Sequence, residues 1–380
     1  MEKKMIALEK EKRKSEKTGS NNLNHQDYEM LVFCHLRWGF VYQRPQHLIS
    51  RMAKKYKVLF VEEPVPFAKE EENTWELEVI EENLHVLKPK VTGIEGIALV
   101  LHSFLNKRNF ETGWFYSAWF SPLLGEFHFE KVIYDCMDEL SLFRGAAPEL
   151  IHQEKFLLSE ADIVFTGGKS LYESKSKVHH NVYCFPSSVE REHFEKALDD
   201  VEIPKDIAQI AGPIVGYFGV IDERIDMELL HSTALLRPEV SFVMIGPLAK
   251  IGEEDLPREN NIHYQGMKSY KILPNYLKAF DIAMMPFALN DATKFISPTK
   301  TLEYMAAGIP VISTAIKDVV RDYSHCIPIV RNSEEFSEEI ARILRAGNAG
   351  KNAAFEQILR KTSWNNTAAS MDKLLKTFAK

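Results

Sequence analysis

The chain has 380 residues, enough for two domains with separate cores, and its 45% hydrophobic and 27% charged content is that of a globular protein. A net charge of −7 argues against an extended nucleic-acid surface, so no nucleic-acid partner is expected. Four scattered cysteines, Cys34, Cys136, Cys184 and Cys326, form no CxxC pair, so neither a zinc site nor a disulfide framework is implied and a reducing cytoplasm is expected.

Residues 1–27 are rich in Lys and Glu and end in a polar run, which predicts a disordered or frayed tail. Its basic surplus suits peripheral contact with the inner face of an anionic membrane, while a plain solvated tail explains the same composition. No apolar run approaches a membrane span, and the N-terminus lacks the apolar centre of a signal peptide. Residues 28–190 then alternate short apolar runs with helical stretches. Strands are expected at Met30–Cys34, Val58–Val61, within Val79–Pro89, and at Lys131–Asp135, Ile163–Thr166 and Val182–Phe185, while the short aromatic run Trp114–Phe120 reads as strand or core. Helices are expected at Pro45–Lys54, Pro148–Glu160 and Ser170–Lys177.

Residues 191–212 fall in a polar, proline-punctuated stretch that reads as a linker. A second alternation runs over 213–353, with strands at Ile214–Phe218, Ser241–Ile245, Asn261–Tyr264, Ile282–Pro286 and Pro310–Ser313. Residues 354–380 form an amphipathic tail interrupted near Ser363-Trp364. Two β-then-α alternations imply an α/β chain with two doubly wound parallel sheets.

Three strand ends in the second half carry glycine: Gly219, Gly246 and Gly266. A glycine there removes the side chain where a diphosphate would approach, although any tight strand-to-helix turn also favours one. Arg224 follows Gly219 on a loop from which a guanidinium can fork onto phosphate oxygens. The stretch Ser297-Pro298-Thr299-Lys300-Thr301-Leu302-Glu303-Tyr304 reads as a helix start, with Ser297 as cap and Pro298 in the first position. Gly308 and Pro310 mark its end. Such a start offers free N–H groups and a positive dipole end, and Lys300 adds a full charge. Thr299 and Glu303 share a face. A capped helix with a solvated Lys and Glu carries the same signature.

In the first half, the loop His35–Leu48 mixes Arg37, Trp38, Arg44 and His47, the residue types that cover sugar rings and reach hydroxyls. Ile133-Tyr134-Asp135-Cys136-Met137-Asp138-Glu139 ends a strand in three acids. Asp138, then Asp135, are candidates for general acid–base work at a strand end; a helix-capping Asp is the equally simple alternative. Gly167-Gly168-Lys169-Ser170 lacks the spacing of a phosphate loop, and Ser170 reads as a helix cap.

These segments resemble the retaining glycosyltransferases of GT-B fold, family 4 in particular. The Ser-Pro-x-Lys-x-x-Glu-Tyr and Arg44-Pro45-Gln46-His47 motifs are similar to a subgroup associated with teichuronic acid and UDP-galactopyranose. The resemblance implies two Rossmann-like domains facing a cleft, with a C-terminal helix crossing back. It implies Glu303 on the donor ribose, main-chain groups around Gly266 and Met267 on the nucleobase, and a carboxylate such as Asp138 near the anomeric carbon. Two positions depart from the family pattern. Phe295 stands where a first Glu is usual, and Val220 where a first basic residue is usual.

The expected activity is transfer of a sugar from a nucleotide diphosphate sugar, UDP-linked by the resemblance, to a saccharide or lipid-linked hydroxyl in cell-surface polysaccharide synthesis. No cofactor and no metal are expected, since side-chain cations can stabilise the leaving diphosphate. Two alternatives stay open: a nucleotide-sugar 2-epimerase, and a non-catalytic nucleotide-sugar-binding subunit.

Overall fold

The computed structural model describes residues 27–64, 74–347 and 352–378. The charged tail read over residues 1–27 therefore lies, but for its last residue, outside the described residues.

The first half builds one eight-stranded sheet from β1 (Met30–Cys34), β2 (Val58–Glu62), β3 (Thr74–Glu81), β4 (Leu84–Lys90), β5 (Asn109–Phe115), β6 (His128–Cys136), β7 (Ile163–Thr166) and β8 (Val182–Cys184). Its order is β3-β4-β2-β1-β5-β6-β7-β8, parallel throughout except that β3 runs antiparallel to β4. The central strands are continuous apolar runs because both faces are covered; β1 is buried at every residue.

The second half builds a fully parallel six-stranded sheet from β9 (Ile214–Phe218), β10 (Ser241–Ile245), β11 (Ile262–Tyr264), β12 (Ile282–Met285), β13 (Val311–Thr314) and β14 (Ile329–Val330). The order is β11-β10-β9-β12-β13-β14. Strand order reverses beside β1 in the first sheet and beside β9 in the second. Open α/β sheets bind ligands outside the carboxyl ends of the strands at such reversals.

The strand expected within Val79–Pro89 is β4, which pairs with β3 in a hairpin turned at Glu82-Asn83. The Trp114–Phe120 run splits: Trp114 and Phe115 end β5, and Ala118–Gly125 is a 3-10 turn. Residues 191–212 are not a bare connection. They form the short helices Arg191–Phe194 and Lys205–Ala208, and Phe194, Ala197 and Ile207 join the core under the second sheet.

The tail divides between the halves. In the Ala353–Leu359 helix, Phe355 and Leu359 pack into the second core, whereas the Trp364–Thr377 helix crosses back onto the first. Ser363 caps the second of these by accepting the Asn365 N–H at 3.2 Å, which explains the break. Asp372 pins the crossing helix, accepting from Lys55 Nζ and the Tyr56 hydroxyl at 2.6 Å each. Trp364 is 1% exposed and stacks on His47 at 4.8 Å. Trp364→Ala should therefore cost about 3–5 kcal/mol of stability, read as a lower urea midpoint at unchanged slope. Trp364→Phe should cost much less, because the indole N–H has no hydrogen-bond partner among the described residues.

Candidate active site

Between the two sheets lie two adjoining chambers, both walled by residues from the carboxyl ends of strands. The outer one, about 410 Å³, lies between the Trp38–Gln43 loop after β1 and Gly219, Gly246, Met267, Tyr270 and Glu303 of the second half. The inner one, about 90 Å³, is lined by Gln43, Asp138, Ser187, Arg224 and the segment Ser297–Lys300. Val41, Gln43, Thr299 and Lys300 border both.

The Lys300–Ala306 helix sets the geometry. Its inward side is apolar, with Leu302, Tyr304, Met305 and Ala306 buried, and the Phe218 N–H donates to the Tyr304 hydroxyl at 3.1 Å, tying the helix to β9. Lys300 and Glu303, three residues apart, are left facing the chambers. The helix ends as expected. Gly308 has φ +70°, its N–H donates to Met305, and the Ile309 N–H donates to Tyr304, the paired bonds of a left-handed helix stop. The start differs from the expected one. Thr299, not Ser297, occupies the cap position, with helical dihedrals and no side-chain cap bond. Both residues instead meet Ser187 of the first half: the Ser297 carbonyl accepts from the Ser187 hydroxyl at 2.9 Å, and Thr299 Oγ1 lies 3.3 Å from Ser187 Oγ.

Lys300 has no carboxylate within ion-pair distance among the described residues; its ammonium sits 5.8 and 5.9 Å from the Tyr217 and Phe218 ring centres. Burial pulls its pKa below the ordinary lysine value, and Glu303 opposes that. Glu303 is 5% exposed, and its carboxylate makes no hydrogen bond among the described residues. Burial pushes its pKa up to about 7, with Lys300 opposing and Glu190 adding to the rise. An unpaired half-buried cation beside an unpaired buried carboxylate is costly unless a ligand completes both.

The Glu303 shift has a consequence for stability. Its folded pKa lies above the ordinary 4.5, so its contribution is fully present below pH 4.5 and is lost as pH rises through about 7. Glu303→Gln cannot ionise. Its stability advantage over wild type should grow by about 2 kcal/mol between roughly pH 5 and pH 8 in urea titrations. A pH-independent difference would contradict the shift.

Arg224 reaches the inner chamber, but Asp222 grips it: Nε lies 3.0 and 3.1 Å from the two carboxylate oxygens and Nη2 lies 2.7 Å from one. Burial works against its charge, yet Asp222 more than offsets this and keeps its pKa above the ordinary arginine value. Nη1 is left without a hydrogen-bond partner among the described residues. Asp138 lines the same chamber, and its carboxylate has no hydrogen-bond partner among the described residues either. Burial lifts its pKa to about 6, with Arg224 opposing.

The glycines divide in role. Gly246, at φ +154°, packs so closely that a Cβ would stand 1.8 Å from the Gly219 carbonyl oxygen. A Cβ on Gly219 would strike the Lys300 side chain at 2.0 Å. These two glycines therefore let two strand ends and the lysine converge. The Gly266 carbonyl accepts from the Gly246 N–H at 2.9 Å, leaving Met267 as the neighbour that lines the outer chamber.

Several candidates are placed elsewhere. Asp135 is fully buried and held by Arg44 at 2.8, 3.0 and 3.2 Å; that ion pair absorbs the carboxylate proposed as a second catalytic group. Arg44 borders the inner chamber but is committed to Asp135 and to the Phe185 carbonyl, at 2.7 Å, so it is not a free acceptor-binding cation. His47 is 1% exposed beneath Trp364 and Tyr42, and burial lowers its pKa to about 3, so it neither reaches the cleft nor carries charge. Arg37 lies outside both chambers, 3.7 Å from Glu62, while Trp38 lines the outer one. Ser170 does not cap its own helix; its N–H and hydroxyl both donate to Asp318 of the second half, at 3.1 and 2.5 Å. Phe295 packs against the first half's core and borders neither chamber. Asp222, Tyr270, Ser187 and Gln43 were not anticipated. Only Asp222, two residues before Arg224, left a local signal.

Among the described residues no cluster of three His, Cys, Asp or Glu side chains could hold a metal ion.

Residues 212–346 match the family model described as Glycosyl transferases group 1. Over 285 residues the chain is 25% identical to a Bacillus subtilis (strain 168) protein named as a teichuronic acid biosynthesis glycosyltransferase, covering 66% of this chain and 71% of that protein. Among solved structures, sucrose-phosphate synthase from Thermosynechococcus elongatus gives a TM-score of 0.67 at 14% identity, covering 91% of this chain and 98% of that one. A trehalose-6-phosphate protein of E. coli, bound with UDP-2-fluoro glucose, gives 0.66 at 12% identity over 92% and 99%. Anabaena HepE, in complex with UDP and glucose, gives 0.63 at 13% over 93% and 100%. At these identities the structural matches bear on fold alone. Paired sheets, the crossing helix and the structural matches give the chain the GT-B fold, and residues 212–346 of its second half are similar to the group 1 glycosyl transferases.

Proposed function

We propose that this protein is a glycosyltransferase that draws its sugar from a UDP-linked donor and delivers it to a hydroxyl of a saccharide or lipid-linked acceptor in cell-surface polysaccharide synthesis. The observation that carries the donor site is the convergence of Lys300, Glu303 and Arg224 on two joined chambers, with Lys300 and Glu303 lacking partners. In this reading the outer chamber takes the nucleoside, with Glu303 accepting hydrogen bonds from ribose hydroxyls and the chain around Met267 meeting the base. Its volume of about 410 Å³ suits a ligand of that size. The diphosphate lies on Lys300 and Arg224, with Gly219 letting the lysine side chain pass close to the strand end. The sugar and the acceptor hydroxyl meet in the inner chamber beside Asp138.

The chemistry then follows from charge. As the bond to the anomeric carbon breaks, negative charge grows on the departing diphosphate, and Lys300 and Arg224 stabilise it from fixed positions. Asp138, ionised above about pH 6, orients the acceptor hydroxyl, while its proton passes to Asp138 or to a leaving phosphate oxygen. Retention of anomeric configuration is part of the proposal. So is independence from a metal: turnover in EDTA should stay within about twofold of the untreated rate, since two side-chain cations carry the charge a metal would.

The relatives support the donor and the pathway. HepE and the E. coli protein were solved with UDP or a UDP sugar, and the Bacillus subtilis protein is named for teichuronic acid. A lipid-linked acceptor would place the enzyme in the cytoplasm with peripheral contact at the inner face of the membrane. Among the described residues no helix is long and apolar enough to cross one.

The test is calorimetry with UDP, ADP and GDP, followed by hydrolysis of a panel of UDP sugars without acceptor. Tightest binding of UDP with slow hydrolysis of one UDP sugar is expected. Preference for another nucleotide would overturn the uridine assignment. Interconversion of sugars without release of UDP would favour an epimerase, and binding without any turnover would favour a carrier subunit.

A further inference from the structure

Phe143 sits in the loop that follows Asp138 and belongs to the first half, yet its ring lies against cations of the second. The Arg224 guanidinium carbon is 5.5 Å from the ring centre and Lys250 Nζ is 4.6 Å from it. The next residue fastens the loop: the Arg144 N–H donates to Glu223 Oε1 at 3.0 Å, and the same oxygen lies 4.0 Å from Lys250 Nζ. Lys250 has φ +61°, a left-handed conformation uncommon outside glycine, which marks this corner as held by its surroundings. Arg224 is thus bounded on two sides, with Asp222 along the Nε–Nη2 edge and the Phe143 ring against it. Its remaining nitrogen, Nη1, has no hydrogen-bond partner among the described residues.

We propose that Phe143 is a positioning residue for the donor diphosphate. Its ring is the plate against which Arg224 is oriented, and because the plate comes from the acceptor half, the grip on the leaving group is complete only when the cleft is closed. The same loop carries Asp138, so closure delivers the acceptor-side carboxylate and the phosphate-side cation together. The inference rests on the donor-site reading above, in which Arg224 meets the diphosphate.

An aromatic face attracts a guanidinium where an aliphatic side chain of similar bulk only packs, and this separates a positioning role from a merely structural one. UDP binding is measured by calorimetry on the full-length protein and on Phe143→Ala, Phe143→Leu, Phe143→Tyr, Arg224→Ala and the Phe143→Ala/Arg224→Ala double variant, with melting midpoints recorded alongside. Phe143→Ala and Phe143→Leu should each weaken UDP about tenfold, and Phe143→Tyr should stay within about twofold of wild type. The double variant should bind no more weakly than Arg224→Ala alone, because the plate has nothing left to hold. Wild-type affinity in Phe143→Leu, or losses that multiply in the double variant, would overturn the inference and leave the donor site standing. Wild-type affinity in Arg224→Ala would instead overturn the donor-site reading, and the role of Phe143 with it.

Discussion

Lys300→Ala should weaken UDP binding by about 100-fold or more and abolish most turnover, with the fold intact. The ammonium is half-buried at the border of both chambers and has no carboxylate within ion-pair distance among the described residues. Burial already depresses its pKa, so its charge is held at a cost that an anion would relieve. A charge-assisted bond to a phosphate in such a place is worth about 3 kcal/mol, which is roughly a 100-fold change in affinity. Lys300→Arg should recover only part of this. A Cβ on Gly219 would fall 2.0 Å from Lys300 Cε, so the lysine side chain lies tight against that turn and a bulkier head must shift the strand end. Calorimetry reports the binding loss, and equal affinities for wild type and Lys300→Ala would remove the phosphate site from this helix.

Asp138→Asn should lower kcat by about 100-fold while the KM for the donor changes little. Its carboxylate is in the inner chamber with Arg224 and Lys300, on the acceptor side of the proposed diphosphate. With a pKa near 6 it is ionised at neutral pH and protonated in mild acid. If the ionised form orients the acceptor, wild-type turnover should fall as pH drops through about 6, and that limb should vanish in Asp138→Asn. A rise in donor KM at unchanged kcat would instead make Asp138 a binding group for the donor sugar.

The two mutations probe different halves of one cleft, and the sequence announced the halves unequally. Central parallel strands such as Ile214–Phe218 and Ile163–Thr166 were legible to the residue because burial on both faces leaves them uninterrupted apolar runs. The edge strand Thr74–Glu81 was not, since none of its residues is buried, Val79 is exposed, and it closes a hairpin without a glycine. In the second half, the placement of Gly219, Gly246, Lys300 and Glu303 along the outer chamber was readable because it depends on local backbone and helix spacing.

The acceptor side depends on distant partners. Asp135 and Arg44 are 91 residues apart, and neither side chain alone shows that they neutralise each other. His47 is buried by Trp364, far along the chain, so a cleft-facing histidine and a core histidine look alike in sequence. Ser170 has the place of a helix cap, yet the carboxylate that serves that helix start is Asp318, 148 residues later. Phe143 carries no motif, and its position follows only from how the Asp138 loop meets Arg224 and Lys250.

A crystal structure of the protein with UDP tests the central claim most directly. The diphosphate should lie within hydrogen-bond distance of Lys300 Nζ and the Arg224 guanidinium, with ribose hydroxyls on the Glu303 carboxylate. UDP bound away from the two chambers, or in them with Glu303 turned from the ribose, would contradict it.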